Sequence, residues 1–275
     1  MLLTNATPVE LVGFSRAVLQ LVGYAVFYRM TVLVFLAGAG LFLPAAANAE
    51  SGGDTQIRGY YDYRQRISDR TRGFGSLGYE ELLDDERLFG VWTQLVAKGG
   101  VSYDATERIR LEAGLGMYYK WLSGATDRFE VRPWQAVTFD WPEVRALARW
   151  VVHHRFMLEE RFIETTEWDA SLRMRYRLAF SIPVNRNTVE PGAFYLPLWA
   201  EFYGDLNQNE QELFADKARY SAGLGYVFNK TWTGELSYSL QQSRDSVGAD
   251  VQFDDNIIQL KIKTTVRIRD YLKSR

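Results

Sequence analysis

Charged side chains recur at every second position in several segments of this sequence. Arg173, Arg175 and Arg177 alternate with large apolar residues, and Glu159 and Glu201 hold similar positions in neighbouring segments. Successive side chains of a β-strand point to opposite faces, so these charges would share one face of a sheet. If the sheet closes on itself, that face lines a lumen, and a lumen rich in Arg and Lys favours anions. The predicted lumen-lining residues are Arg155, Glu159, Arg161, Arg173, Arg175, Arg177 and Glu201.

Folding neighbouring segments back on each other predicts which charges meet. A turn about residue 166 places Glu159 opposite Arg173 and Arg155 opposite Arg177. A turn about residue 188 places Glu201 opposite Arg175. Opposite charges that pair across strands stabilise the register. Arg155 and Arg177 are then predicted to be like charges with no carboxylate directly opposite. In an open barrel they would set the anion preference, and in a plugged barrel a carboxylate from a neighbouring strand should reach them.

The basic lumen has two interpretations. Basic residues outnumber acidic residues on the predicted inner face, whereas acidic residues concentrate in predicted loops at 80–86, 205–212 and 245–255. The surplus of cations would serve a passage for small anions, or else the interior would be a plug of salt bridges and water. Barrels of about eight strands are filled by side chains, and barrels of about 16 strands enclose a channel. A barrel near ten strands is closer to the filled type, and both interpretations stay open.

Other chemistry has little support in the sequence. There is no cysteine, so disulfides, thiolate metal sites and thiol nucleophiles are excluded. The two histidines, His153 and His154, are adjacent, so only one of them, His153 by the pattern, would face the lumen. A calcium loop that would begin at Asp205 has Glu210 where its sixth position requires glycine. We therefore expect no catalytic residue, no metal and no cofactor.

A segment typical of export precedes the charged segments. Arg29 is followed by an apolar run at 32–43 and by the small residues of Ala47-Asn48-Ala49. This order is that of a secretory signal with its cleavage site. A membrane anchor helix is the alternative, but the run is shorter than the roughly 20 apolar residues that a spanning helix needs.

The chain is accordingly expected to have two parts. Residues 1–49 are predicted to be a signal peptide, with translation starting at Met1 or at Met30. Residues 50–275 are predicted to form a single outer-membrane β-barrel domain. The location follows from export combined with the strand pattern described next.

Apolar and polar residues alternate with a period of two through most of the remaining chain, as in strands with one apolar face. The clearest alternation lies at 108–121, 168–182 and 258–269. Runs of about 12–16 residues are longer than the roughly 5–6 of soluble strands. Aromatic residues near the strand ends, such as Trp121 and Trp168, resemble interfacial girdles. These features predict an all-β fold, an antiparallel up-and-down transmembrane β-barrel.

Ten strands are predicted, with eight or twelve as alternatives. They lie near 54–67, 88–103, 106–121, 128–140, 143–164, 168–183, 193–204, 213–228, 231–244 and 255–269. Thr71–Glu80 would supply part of an extra hairpin, and 143–164 is long enough to bend. An even strand number places both termini at the periplasmic end. On the predicted strand at 168–183, the outward residues Leu172, Met174, Tyr176 and Leu178 are predicted to contact lipid.

Several motifs resemble those of a bacterial protein family. They are His154–Phe162 (HRFMLEERF), Leu172–Leu178 (LRMRYRL), Trp199–Phe202 (WAEF) and Ala222–Tyr226 (AGLGY). Together they resemble the family called domain of unknown function 2490, across nearly all of the chain after the predicted signal peptide. The resemblance implies a secreted or outer-membrane β-barrel protein with no settled activity, and it implies no catalytic residues.

The expected function is that of an integral outer-membrane protein of a Gram-negative bacterium, either structural or a narrow passage for small anionic solutes. The expected partners are outer-membrane lipid and lipopolysaccharide, with the barrel-assembly machinery during insertion. A net charge of −2 lacks the basic footprint of a nucleic-acid binder. Two alternatives are an outer-membrane enzyme that acts on lipid and a soluble periplasmic lipid-binding barrel.

Overall fold

A computed structural model describes residues 54–84, 87–140, 150–206, 217–243 and 252–267 of the chain. The predicted signal peptide lies outside the described residues and stays a prediction. Within the described ranges, every regular element is a β-strand. The same ranges contain no helix that is long and apolar enough to cross a membrane.

In the described part of the chain, eleven strands close into one barrel. They are β1 (Asp54–Arg66), β2 (Thr71–Asp84), β3 (Arg87–Asp104), β4 (Ile109–Leu122), β5 (Arg128–Asp140), β6 (Val151–Glu164), β7 (Trp168–Pro183), β8 (Phe194–Asp205), β9 (Lys217–Val227), β10 (Trp232–Ser243) and β11 (Gln252–Arg267). Consecutive strands pair antiparallel, whereas β1 and β11 pair in parallel along thirteen residue pairs, from Asp54 opposite Asp255 to Arg66 opposite Arg267. Closure leaves no strand edge unpaired, which removes the usual site of edge-to-edge aggregation.

The strand that the sequence prediction did not include is β2. Phe74 points into the barrel while Gly73 and Gly75 point outward, so the segment lacks the apolar alternation that marks its neighbours. A tight turn leads into it, since the amides of Ile67 and Ser68 each donate to the Thr71 carbonyl at 3.0 Å. The prediction of ten strands is therefore wrong by one, and the predicted loop at 68–87 is largely a strand.

The odd strand number also changes the connectivity. An all-antiparallel barrel needs an even number of strands, so eleven strands require the parallel β1–β11 pair. The prediction of a purely antiparallel barrel with both ends of the sheet on one side is wrong. Asp54 and Arg267 instead lie at opposite ends of the barrel, because every odd-numbered strand runs in the same direction.

The outward side chains of the barrel are apolar and exposed. Leu77 is 63% exposed and Phe156 is 52% exposed, although both belong to central parts of long strands. Other large, exposed, outward apolar residues are Ile57, Leu95, Val101, Leu111, Leu115, Met117, Val137, Phe162, Leu196, Tyr220 and Leu260. A soluble monomer rarely exposes a continuous apolar surface of this extent.

Aromatic rings fill part of the interior by packing over glycines. Trp134 lies over Gly114, where an added Cβ would come within 2.6 Å of the ring, and Tyr118 lies in the same way over Gly116 at 2.9 Å. Phe74 stacks on Trp134 with ring centroids 5.7 Å apart. The rings occupy the volume that larger side chains at these two positions would need. The glycines therefore allow the two rings to narrow the lumen without steric conflict.

Candidate functional site: the charged lumen

The inner face of the barrel has a regular distribution of charge. Each even-numbered strand places one glutamate inside, and these are Glu80, Glu112, Glu159, Glu201 and Glu235. Each odd-numbered strand places basic residues inside, and examples in chain order are Arg58, Lys98, Arg132, Arg175, Arg219 and Lys261. Adjacent strands therefore bring opposite charges together, and such cross-strand pairs of opposite charge stabilise the sheet.

A chain of alternating charges runs along β6, β7 and β8, and we call it the Arg–Glu ladder. It consists of Arg173, Glu159, Arg175, Glu201 and Arg177. The Nη2 atom of Arg173 lies 2.6 Å from Glu159 Oε2, and Arg175 lies 2.7 Å from a carboxylate oxygen of each glutamate. The Nη2 atom of Arg177 lies 2.9 Å from Glu201 Oε2. Both glutamates are 2% exposed, so the charges are compensated within the protein rather than by solvent.

The register of the ladder differs from the predicted one at β8. Glu159 lies opposite Arg173 and Arg155 opposite Arg177, as predicted. Glu201, however, lies opposite Arg177 and not opposite Arg175. The β7–β8 pairing centres one residue later than predicted, and such a shift moves cross-strand partners by two residues. The prediction for Glu201 is therefore wrong, although Arg175 still reaches it diagonally.

The two arginines that were predicted to have no carboxylate opposite both have one nearby. Arg177 donates to Glu201 from Nε at 3.0 Å and from Nη2 at 2.9 Å. Arg155 reaches across β5 and donates from Nε to Glu112 Oε2 at 2.9 Å. Thr138 donates to the same Glu112 oxygen at 3.2 Å. The prediction of no carboxylate directly opposite is wrong for Arg177, which faces Glu201. Arg155 faces Thr138 and Arg177, so it has no carboxylate directly opposite, and the contact from Glu112 is the kind expected of a plugged barrel.

A second buried cluster surrounds Glu130 on β5. Arg132 and Arg161 each donate from Nε to Glu130 Oε1 at 2.6 Å, and Arg128 donates to Oε2 at 3.2 Å. Glu130 is only 3% exposed. The Arg132 guanidinium also lies over the Tyr118 ring, 3.7 Å from its centroid. One carboxylate is shared by three arginines here, so the cluster keeps a positive charge.

Other inward cations of the lumen have no carboxylate partner among the described residues. In the described ranges, six inward basic residues have no acidic oxygen within ion-pair distance, and we call them the cationic face: Arg64, Lys98, Lys120, Lys217, Arg219 and Lys261. They belong to β1, β3, β4, β9 and β11, so four of them lie on strands away from the ladder, whereas Lys217 and Arg219 lie on β9, next to β8. Aromatic rings support some of them, since Lys120 Nζ lies 3.8 Å from the centroid of Trp92 and Lys98 Nζ lies 5.3 Å from that of Tyr118.

The ladder and the cationic face border one cavity. Its volume is about 950 Å³, and its lining includes the ladder arginines and the whole cationic face. Ligand pockets in proteins usually measure about 300–1,000 Å³. The interior is therefore only partly filled, and the space that remains can hold a small polar solute next to positively charged groups.

The structure places the predicted lumen residues together around this cavity. Arg155, Glu159, Arg161 and the three ladder arginines line it, while Glu201 lies beneath Arg175 and Arg177. Sequence reasoning missed Glu80, which was assigned to an acidic loop. It lies on β2, where it is 5% exposed and accepts a hydrogen bond from Gln94 at 3.0 Å. Its even spacing from Arg72 and Ser76 along one strand is the signal that would have revealed it.

Tyr203 was also missed. Its hydroxyl donates to Glu201 Oε2 at 2.5 Å, and its ring centroid lies 4.9 Å from the Arg175 guanidinium carbon. Tyr203 is 6% exposed at the base of the lumen wall. An aromatic residue at an inward position among charged neighbours is the signal for it in the sequence.

The histidines lie on opposite faces, as the alternation predicts. The Nδ1 atom of His153 lies 2.5 Å from Asp140 Oδ1 in the lumen, and His154 Nδ1 lies 2.8 Å from the Tyr176 hydroxyl on the outer surface. Among the residues that the structure describes, no three His, Cys, Asp or Glu side chains converge as a metal site would need. Most of the loop after Asp205, where a calcium site was considered, lies outside the described residues.

Fold and site together define a class of protein: a closed β-barrel with an apolar exterior and a charged, partly open lumen. The chain belongs to the family DUF2490, described as a protein of unknown function, whose model matches residues 53–252. This match confirms the family resemblance of the sequence motifs. No curated protein and no solved structure matches the chain.

Proposed function

We propose that this protein is an integral outer-membrane β-barrel of a Gram-negative bacterium whose cationic lumen admits small anionic solutes. The observation that carries the proposal is the polarity of the barrel, which is apolar outside and charged inside. Water-soluble barrels bury their apolar side chains, whereas transmembrane barrels expose them to lipid. The signal segment at residues 1–49 supports export to the outer membrane.

Aromatic residues near both ends of the strands support the membrane assignment. Trp121 and Trp168 lie near the end of the barrel where odd-numbered strands begin, and Phe228 and Trp232 lie near the other end. All four are outward and at least 41% exposed. Outer-membrane barrels carry such aromatic girdles at the two lipid–water interfaces, while lipid and lipopolysaccharide surround the apolar band between them.

The lumen supports a solute that is negatively charged. The Arg–Glu ladder is neutralised internally except for one surplus positive charge, so the field in the cavity comes mainly from the cationic face. Rings of Arg and Lys attract anions into a pore. The charged lining also argues against the soluble lipid-binding barrel, whose cavity would be apolar to accept acyl chains.

A structural role without passage is the second candidate. The specific observation in its favour is the number of compensated charges, since Glu130, Glu159 and Glu201 anchor most of the arginines of β5–β7. A barrel with that network is rigid whether or not solutes cross it. The two candidates differ in one measurable property, the conductance of the folded protein.

Planar-bilayer recording of the refolded mature protein tests the proposal. We expect small, anion-selective conductance, and we expect the double variant Lys98→Glu, Lys261→Glu to lose that selectivity because it reverses two charges of the cationic face. The exposed turn residue Lys230 provides the control, and Lys230→Glu should leave the selectivity unchanged.

Two results would contradict parts of this proposal. Correctly folded protein that never conducts would end the passage hypothesis and favour the structural role. Recovery of the mature protein in the soluble periplasmic fraction, rather than with outer membranes, would overturn the membrane assignment itself.

A further inference from the structure

Two residues of the cationic face lie next to each other on β9, beside the end of the Arg–Glu ladder. Arg219 pairs with Glu201 in the β8–β9 register, and Lys217 pairs with Tyr203. Both β9 side chains point into the cavity. They stand two positions apart on one strand, so their charges repel and neither can neutralise the other.

Arg219 makes no hydrogen bond or short ion pair with the glutamate that it faces. The carboxylate of Glu201 already accepts hydrogen bonds from Arg175 at 2.7 Å, from Arg177 at 3.0 and 2.9 Å, and from the Tyr203 hydroxyl at 2.5 Å. Arg219 donates instead to the neutral side-chain oxygen of Gln241. Its Nε atom is buried and has no partner among the described residues. A buried guanidinium nitrogen without a partner is costly, which points to a missing acceptor.

Arg58 of β1 completes a group of three cations. It lines the same cavity as Lys217 and Arg219. Its nearest carboxylate oxygen, on Glu80, is 3.6 Å from Nη1, and Glu80 also accepts hydrogen bonds from Tyr60 and Gln94. The Arg58 guanidinium makes its short contacts with the neutral Gln56 side chain.

Two carboxylates line the same cavity without an ion-pair contact to Lys217 or Arg219. Asp255 accepts a hydrogen bond from the Gln241 amide. Glu80 forms an ion pair with Arg58 at 3.6 Å and accepts hydrogen bonds from Tyr60 and Gln94. The Tyr203 ring, 5.8 Å from the Arg219 guanidinium carbon, forms one wall of the space between the cations.

We propose that Arg58, Lys217 and Arg219 form a binding site for the phosphoryl group of a small phosphorylated solute. Guanidinium groups bind phosphate oxygens through two parallel hydrogen bonds, and a lysine adds a point charge. A dianion compensates the mutual repulsion of three cations better than a monoanion does, because a single negative charge would leave more of that repulsion uncompensated. This inference specifies phosphorylated compounds as the class of anionic solute that the lumen admits. It rests on the proposed function, because the solute must be able to enter the lumen.

Isothermal titration of the refolded mature protein with inorganic phosphate, in chloride-containing detergent buffer, tests the site. We expect wild-type protein to bind phosphate, and we expect Lys217→Gln and Arg219→Gln each to weaken binding about tenfold or more, because a hydrogen bond to a charged group is involved. Lys217→Arg keeps the charge and should retain most of the affinity. Lys230→Gln is the control, since it removes one cation from an exposed turn outside the lumen and should change the affinity less than twofold.

The outcomes separate this site from the passage proposal. Folded wild-type protein that does not bind phosphate would overturn the site, and so would an equal loss of affinity in the Lys230→Gln control. Phosphate binding with the expected variant pattern in a protein that does not conduct would support the site and contradict only the passage. Folding of every variant is checked by the heat-dependent shift in gel mobility that intact barrels show.

Discussion

The Arg–Glu ladder and the cationic face both place basic side chains in the lumen, but they differ in whether those side chains have carboxylate partners. In the Arg–Glu ladder, Glu159 and Glu201 each contact two arginines at 2.6–2.9 Å. On the cationic face, Lys217 and Lys261 have no carboxylate at ion-pair distance in the described part of the chain. Most of the charge in the ladder is compensated by ion pairs, whereas the charges of the cationic face are not and could attract an anionic solute.

The difference teaches that burial of charge has two consequences. A buried, fully bonded ion pair is often worth no more than apolar packing of equal volume, but removal of one partner leaves an uncompensated charge. The ladder should therefore tolerate substitution poorly. The cationic face already carries its uncompensated charges, so neutral substitutions there should change stability little and change solute binding more.

The largest expected effect is on the ladder. Glu201→Gln should lower the free energy of unfolding by about 3–5 kcal/mol, because Arg175 and Arg177 lose a shared buried carboxylate. Urea unfolding in phospholipid vesicles, followed by tryptophan fluorescence, measures it. Glu107→Gln, in an exposed turn, is the control and should change stability by less than about 0.5 kcal/mol. Equal effects of the two variants would show that the ladder does not hold the barrel together.

A smaller effect is expected on the outer face of the neighbouring strand β7. Met174→Arg should lower the free energy of unfolding in lipid by about 2–4 kcal/mol if its side chain contacts the bilayer near the midplane. Ala179→Arg, which points into the cavity from the same strand, should cost less. The measurement is the same vesicle unfolding assay. Should Met174 accept arginine as readily as Ala179 does, the outer face of β7 would not contact lipid.

The smallest effect is expected on the cationic face, where two lysines of β11 provide a matched pair. Lys261→Met should leave the free energy of unfolding unchanged or raise it by up to about 1 kcal/mol, because it removes a buried cation that has no carboxylate partner among the described residues. Lys263→Met should lower it by about 1–3 kcal/mol, because Glu235 loses its cation while it is only 9% exposed.

Stability of the two lysine variants is measured by urea titration side by side. A larger loss for Lys261→Met than for Lys263→Met would mean that Lys261 has a stabilising partner, and the distinction between the ladder and the cationic face would need revision.

Much of the wall could be predicted because strand alternation is a local property. The alternation at 168–183 correctly separated Arg173, Arg175 and Arg177 from the outward Met174 and Tyr176. Nine of the ten predicted strands both begin and end within a few residues of their observed bounds. The exception is the strand predicted at 143–164, which is observed at Val151–Glu164, while 143–149 lie outside the described residues. Each of these results depends on side chains a few positions apart.

The errors arose where distant parts of the chain determine the outcome. The position of Glu201 depends on how the ten residues between β7 and β8 are accommodated, and one residue of difference moved its partner from Arg175 to Arg177. The β2 strand was not predicted because its inward Phe74 and outward glycines are stabilised by neighbouring strands, among them β5 through Trp134. Neither contact is encoded within the segment itself.

The sequence by itself determined which side chains share a face, because a period of two follows from the geometry of a single strand. It thereby determined an apolar surface, a charged surface and membership of the family. Only the tertiary structure decided the strand number, the parallel closure of β1 on β11 and the partner of each lumen cation. Those features depend on turn lengths and on how far side chains reach across a closed barrel. Arg155 therefore contacts Glu112 two strands away, while Lys217 and Arg219 have no carboxylate at ion-pair distance among the described residues.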